Sequence, residues 1–108
     1  MAPGTSTDRA STLDQQLRFA IANKRLIQFN YTKRSRVAEP HDYGLQGGAA
    51  KLLVYQIRGE SRTPLPDWRL LFVAKIEELV VLPETFRGSR GHSHQRHKEW
   101  DELFARVG

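Results

Sequence analysis

I-Q-F-N-Y-T-K-R-S-R-V-A-E-P-H-D-Y-G, residues 27–44, is the stretch whose reading decides the fold. Ile27, Phe29 and Tyr31 alternate with Gln28 and Asn30, so a period of two sets three large apolar groups on one sheet face and two amides on the other. That pattern describes a half-buried strand. Polar residues from Thr32 to Ser35 supply a turn, and a second extended segment follows. Within it Pro40 removes a ladder donor and pushes Glu39 toward extended geometry, which suits a sheet edge or a strand end. Two antiparallel strands joined by a basic turn are therefore predicted, the start of a small β-barrel presenting arginine, histidine and tyrosine beside that turn.

Before this stretch, Leu13, Leu17, Ala20 and Ile21 fall at helical spacing behind Ser11 or Thr12 as a cap, which predicts a packing helix over residues 12–23. Residues 1–10, small and polar with Pro3 and Gly4, read as a frayed, disordered terminus. After the stretch, Gly44 and the pair Gly47 and Gly48 mark a turn, and Leu52, Val54 and Gln56 then alternate with Leu53, Tyr55 and Ile57. A strand apolar on both faces belongs in the middle of a sheet or barrel. Pro64 and Pro66 mark a loop, residues 68–73 a fourth strand, and residues 74–82 a short turn leading into a fifth, with Pro83 closing the barrel. Residues 87–98, rich in Gly, Ser, His and Arg, read as a flexible linker. Trp100, Leu103, Phe104 and Val107 then take i, i+3, i+4 and i+7 positions, predicting a C-terminal amphipathic helix over residues 99–108. The fold class expected is mainly β with flanking helices, and residues 11–86 form its five-stranded barrel.

Composition narrows the chemistry. A chain of 108 residues makes one domain, and such a domain buries roughly 65% of the surface its unfolded chain exposes. With no cysteine there is no disulfide framework, thiolate nucleophile or Cys-ligated zinc. No run approaches the length of a membrane span and no signal-peptide centre is present, so a cytoplasmic protein that meets no membrane is expected. Seventeen Lys and Arg against twelve Asp and Glu leave a formal charge of +5, which attracts anionic partners. No phosphate loop, nucleophile elbow, redox motif or convergent pair of carboxylates appears, so no catalysis is expected. Glu77 and Glu78 are adjacent, and on a strand they face opposite ways.

Residues 20–31 (A-I-A-N-K-R-L-I-Q-F-N-Y), 36–44 (R-V-A-E-P-H-D-Y-G), 52–56 (L-L-V-Y-Q) and 68–86 (W-R-L-L-F-V-A-K-I-E-E-L-V-V-L-P-E-T-F) together resemble the WYL domain family. The resemblance implies an SH3-like, Sm-like five-stranded barrel with a preceding helix. It further implies a bacterial regulatory domain of the kind usually attached to a helix-turn-helix, thought to sense nucleic-acid or nucleotide-like ligands. The Trp-Tyr-Leu triplet that names the family falls at Ala50, Lys51 and Leu52, keeping only its leucine, and a family arginine falls at Phe72. Residues 1–12 leave no room for a helix-turn-helix, so a stand-alone module is expected.

The resemblance carries Arg36, Arg69 and Lys75, with His41 and Tyr43, over as ligand-binding candidates. Guanidinium forks hold phosphate bidentately, and an aromatic ring such as Tyr43 or Trp68 stacks on a base. His92, His94 and His97 have H-x-H-x-x-H spacing, a weak metal signal because no cysteine or placed carboxylate completes it. No cofactor is expected. Two functional readings follow. One is a ligand-sensing module for a nucleotide or single-stranded nucleic acid, acting in transcription regulation as the resemblance implies. The other is a protein-interaction subunit whose barrel edge and C-terminal helix bind a second copy or a regulator.

Overall fold

The computed structural model describes the backbone of residues 5–91 and 99–108, and side chains from residue 11 onward within those ranges. Its elements run α1 (Thr5–Ala22), β1 (Arg25–Tyr31), β2 (Arg34–Gln46), β3 (Ala49–Gly59), β4 (Asp67–Phe72), a 3-10 turn (Val73–Lys75), β5 (Glu77–Thr85) and β6 (Glu102–Arg106). The fold is mainly β, one antiparallel sheet with a single helix before it. That helix starts earlier than residue 12, inside the segment expected to be frayed. It ends where Lys24 takes a left-handed conformation (φ 53°). There the Asn23 backbone and side-chain amides both cap the Phe19 carbonyl, at 3.0 and 2.9 Å.

The sheet is ordered β4-β3-β2-β1-β5, with β6 added to β2. Residues 27, 29 and 31 do share the inner face. Ile27 and Phe29 are buried, while Gln28 opposite is exposed. The two-residue turn Thr32-Lys33 has both φ values positive (51° and 64°), the twist that lets a tight hairpin match its strands. β3 lies between β2 and β4, as its two-sided apolar pattern demands. Leu17, Ala20 and Ile21 of α1 close the core formed by Ile27, Phe29, Ala38, Leu52, Val54, Leu71 and Ile76. Each fully buried aliphatic side chain of that kind stabilises by about 1.5–3 kcal/mol.

Two expectations about the strands are also corrected. Pro40 sits inside the central strand, not at an end. Register on the β3 side slips between Pro40 and Asp42, leaving His41 as a bulged residue. On the other edge of β2 the β1 ladder stops at Ala38 and the β6 ladder starts at Asp42, so the donor missing from Pro40 falls in a gap. The second correction concerns the C-terminus, where Glu102–Arg106 is a strand and not a helix. A helix of about ten residues is marginal on its own, whereas the open edge of β2 past residue 41 offers a ladder. β6 takes it, flanked by Asp101 N–H to Leu45 O and Val107 N–H to His41 O at 2.8 and 2.9 Å. Gly44 permits the approach, because a Cβ there would meet Glu102 O at 2.3 Å.

The ladders trace an open path, with β4 and β5 at its ends. Even so the sheet coils strongly. The Phe72 N–H of β4 donates to Tyr31 Oη of β1 at 3.0 Å, although β3 and β2 lie between those strands in the sheet order. Among residues 87–98, expected as a flexible linker, residues 87–91 are tied down. Ser89 N–H donates to Gly108 O at 2.8 Å, and Arg90 is held by Glu39.

Candidate functional site

Cross-strand partners share a face, and Phe29 pairs with Arg36, Ala38 with Gln56, Gln56 with Asp67, and Val54 with Arg69. The inner face that carries the core therefore becomes polar at one end of the coil, where Arg36, Gln56, Asp67 and Arg69 converge. Gln56 is 0% exposed and its Oε1 accepts from both arginines, from Arg36 Nη1 at 3.3 Å and Arg69 Nε at 3.5 Å. Its Nε2 is anchored on the Arg58 and Glu60 carbonyls, both at 3.1 Å, so the amide cannot turn its donors toward the cations.

Arg36 is 8% exposed. Its Nη2 reaches Tyr31 O at 3.4 Å and Thr32 Oγ1 at 3.1 Å, its guanidinium lies 5.4 Å from the Tyr31 ring centroid, and its Nε is buried without a hydrogen-bond partner. Burial first, then the positive charges of Arg69 and Arg34, lower its pKa; Tyr31 and Glu60 act the other way. Arg69 is more open. It pairs with Asp67 at 3.3 Å and donates from Nη2 to Ser61 Oγ at 2.6 Å and Thr63 Oγ1 at 2.8 Å, hydroxyls of the β3–β4 loop. That loop is drawn to the β1–β2 hairpin by Glu60 N–H to Ser35 O at 2.8 Å. This end of the inner face, the mouth, thus sets cations and hydroxyls beside the core residues Phe29 and Val54, the cross-strand partners of Arg36 and Arg69.

Of the six candidates read from the sequence, Arg36 and Arg69 come together at this mouth, while Trp68 and His41 meet each other elsewhere, on the outer face. Trp68 precedes Arg69 on β4, so it faces outward, packed 4.9 Å from both the Tyr55 and His41 rings. His41 is turned to that outer side by its bulge, fully buried, with Phe86 at 5.5 Å and Glu39 Oε1 3.2 Å from its Nε2. Tyr43 is core: its hydroxyl donates to Asp14 Oδ1 at 2.7 Å, and burial followed by that carboxylate raises its pKa. Lys75 lies in the 3-10 turn, its Nζ 5.2 Å from the Phe72 ring. His92, His94 and His97 lie outside the described residues, among which no group of three or more His, Cys, Asp or Glu could hold a metal.

A second charged cluster, on the outer face, is structural. Arg90 clasps Glu39 through Nε to Oε1 and Nη2 to Oε2, both 2.8 Å, and lies 4.0 Å from the Tyr55 ring centroid. Burial on its own would raise the Glu39 pKa, but the hydrogen bonds from Arg90 and His41 outweigh it and hold the carboxyl below the ordinary glutamate value. A depressed carboxylate adds stability that is fully present above the unfolded value, about 4.3, and is lost as pH falls through the lower folded value. Glu39→Gln is therefore expected to be less stable than the native chain at pH 7, with the gap narrowing below about pH 4.3. Denaturant melts from pH 7 to pH 2.5 check this, and a gap that stays constant across the range sinks it.

Gln56, Tyr31, Thr32, Ser61 and Thr63 belong to the mouth and were not read from the sequence as site residues. Gln56 left a signal: in the alternation Leu52, Val54, Gln56 it is an amide on the face that the other two bury. The hydroxyls left none, because their place depends on how a loop folds back. No family model matches this chain, and neither does any curated protein or solved structure.

Proposed function

We propose that this chain is a non-catalytic, ligand-sensing regulatory module that binds a nucleotide or a single-stranded nucleic acid at the Arg36 and Arg69 mouth. One observation carries the reading: two guanidiniums converge on a single neutral amide oxygen, with Asp67 the one carboxylate that pairs with either of them among the described residues. Holding like charges together at a half-buried site is unfavourable, and a bound phosphate offsets it while accepting bidentate hydrogen bonds. Ser61 and Thr63 add hydroxyls beside Arg69, and Tyr31 adds a ring beneath Arg36. The formal charge of +5 favours the encounter. The resemblance to WYL domains and the coiling of the sheet support the same reading, as an SH3-like regulatory barrel of the cytoplasm.

Fluorescence anisotropy with a labelled nucleotide and a labelled oligo(dT), titrated from low to physiological salt, tests the proposal. Native protein is expected to bind, with affinity falling as salt rises because phosphate contacts release counterions. Arg69→Ala is expected to weaken binding by about 10- to 100-fold, the worth of a hydrogen bond to a charged group. Arg69 is a cleaner probe than Arg36, whose removal also empties a buried position. Absence of binding at low salt, or binding indifferent to salt, overturns the reading.

A further inference from the structure

We infer that Phe72, set between Lys51 and Lys75, is a base-stacking platform that extends the mouth, so that its occupant is a single nucleic-acid strand of several nucleotides. The inference rests on the reading of Arg36 and Arg69 as a phosphate site. Phe72 ends β4 with 42% of its surface exposed. Alternation along β4 sends it to the face opposite Arg69 and Leu71, out of the core. Its cross-strand partner is Lys51, and the Nζ atoms of Lys51 and Lys75 lie 5.0 and 5.2 Å from its ring centroid. Neither lysine takes part in an ion pair among the described residues; Lys51 donates only to the Gln46 amide, at 3.1 Å.

An exposed ring between two uncompensated cations matches the chemistry of a nucleotide, an aromatic base joined to an anionic phosphate. It matches a neutral apolar partner poorly, since docking one would desolvate both ammonium groups. Position adds the second argument. Tyr31 joins the two sites physically: its carbonyl accepts from Arg36 Nη2 at 3.4 Å, its ring lies under the Arg36 guanidinium, and its Oη accepts the Phe72 backbone N–H at 3.0 Å. A strand leaving a phosphate at Arg36 and Arg69 therefore runs over Tyr31 and around the end of β4 to Phe72. Cations and rings alternate along that path, the arrangement that holds single strands without reading their sequence.

The experiment compares thymidine monophosphate with oligo(dT) of two, four and eight nucleotides on the native chain and on Phe72→Ala, Phe72→Tyr and Arg69→Ala, at low salt. Native protein is expected to gain affinity from the mononucleotide to the longer strands. Phe72→Ala is expected to lower octamer affinity by about 5- to 100-fold, the worth of one stacked base, and to leave the mononucleotide unchanged. Phe72→Tyr, which keeps the ring, is expected to bind the octamer like the native chain. It also separates stacking from a folding defect, which circular dichroism of each variant checks. Arg69→Ala is expected to weaken both ligands. If Arg69→Ala weakens both while Phe72→Ala leaves the octamer untouched, the platform is overturned and the phosphate site stands. If Phe72→Ala alters self-association in sedimentation but not octamer affinity, the ring belongs to a protein contact and the platform is again overturned. Failure of the native chain to bind any of these ligands overturns the phosphate site and the platform together.

Discussion

Phe29→Ala is expected to lower the unfolding free energy by about 3–5 kcal/mol, the range for truncating a core phenylalanine. Phe29 is 1% exposed and packs within the cluster of Ile27, Ala38, Val54 and Leu71. Ile27, Ala38 and Val54 are strand residues fixed by ladders on both sides and Leu71 by one, so they have little freedom to collapse into the space left behind. A domain of this size is ordinarily stable by only about 5–15 kcal/mol, and the loss is therefore a large part of the whole. Phe29 also pairs with Arg36, so the variant couples the core to the site. Urea denaturation measures the effect, and a change below about 1 kcal/mol, near the surface-site level, would refute the placement.

Gly59→Ala is expected to be about as damaging, at about 3–5 kcal/mol, through the backbone and not the core. Gly59 has φ of 100°, a conformation that L side chains rarely adopt. A Cβ there would lie 2.4 Å from Ser35 O and 2.7 Å from Arg36 Cα, both backbone atoms with no rotamer to give. Gly59 pairs with Arg36 at the end of the β2–β3 ladder, and the next residue, Glu60, donates its N–H to Ser35 O. The substitution must therefore push the β3–β4 loop away from the hairpin and spread the mouth. Gly47→Ala is the control, because Gly47 also has positive φ (63°) but nothing within 4 Å of its Cβ position. Its cost is expected to be about 1–2 kcal/mol, that of left-handed strain alone. Equal losses for the two variants, measured by denaturation, would show that the close approach at Gly59 contributes nothing.

Much of the sheet was legible in advance. The alternation at Ile27, Phe29 and Tyr31, the two-sided apolar run at Leu52 to Ile57 and the turn before β5 are all local patterns, and each appears where it was read. The C-terminal segment was not legible. Trp100, Leu103, Phe104 and Val107 satisfy a helical period, but the competitor was a vacant stretch of β2 edge some 60 residues away in sequence, which no local pattern describes. Pro40 misled for the same reason. Whether a missing N–H matters depends on what lies opposite it, and on the edge away from β3 the β1 ladder ends at Ala38 and the β6 ladder begins at Asp42.

The candidate site divides along the same line. The resemblance singled out Arg36 and Arg69 together with Lys75, His41 and Tyr43, and residue chemistry added Trp68. The sequence by itself thus determined the strands up to residue 85, the inward face of Ile27 and Phe29, and that the chain is basic. Only the tertiary structure decided which of the six candidates meet. Trp68 and Arg69 part because neighbours on a strand face opposite ways. His41 is diverted by a bulge, Tyr43 is claimed by Asp14 of the helix, and Gln56 becomes the oxygen that both arginines share. Phe72 is joined to Tyr31 only through the coil of the sheet, which carries the Tyr31 hydroxyl to its backbone. The physical reason is that strand and turn preferences act over a few residues, whereas register, bulges and coiling are set by contacts between segments far apart in the chain, each of which must also satisfy the hydrogen bonds of the others.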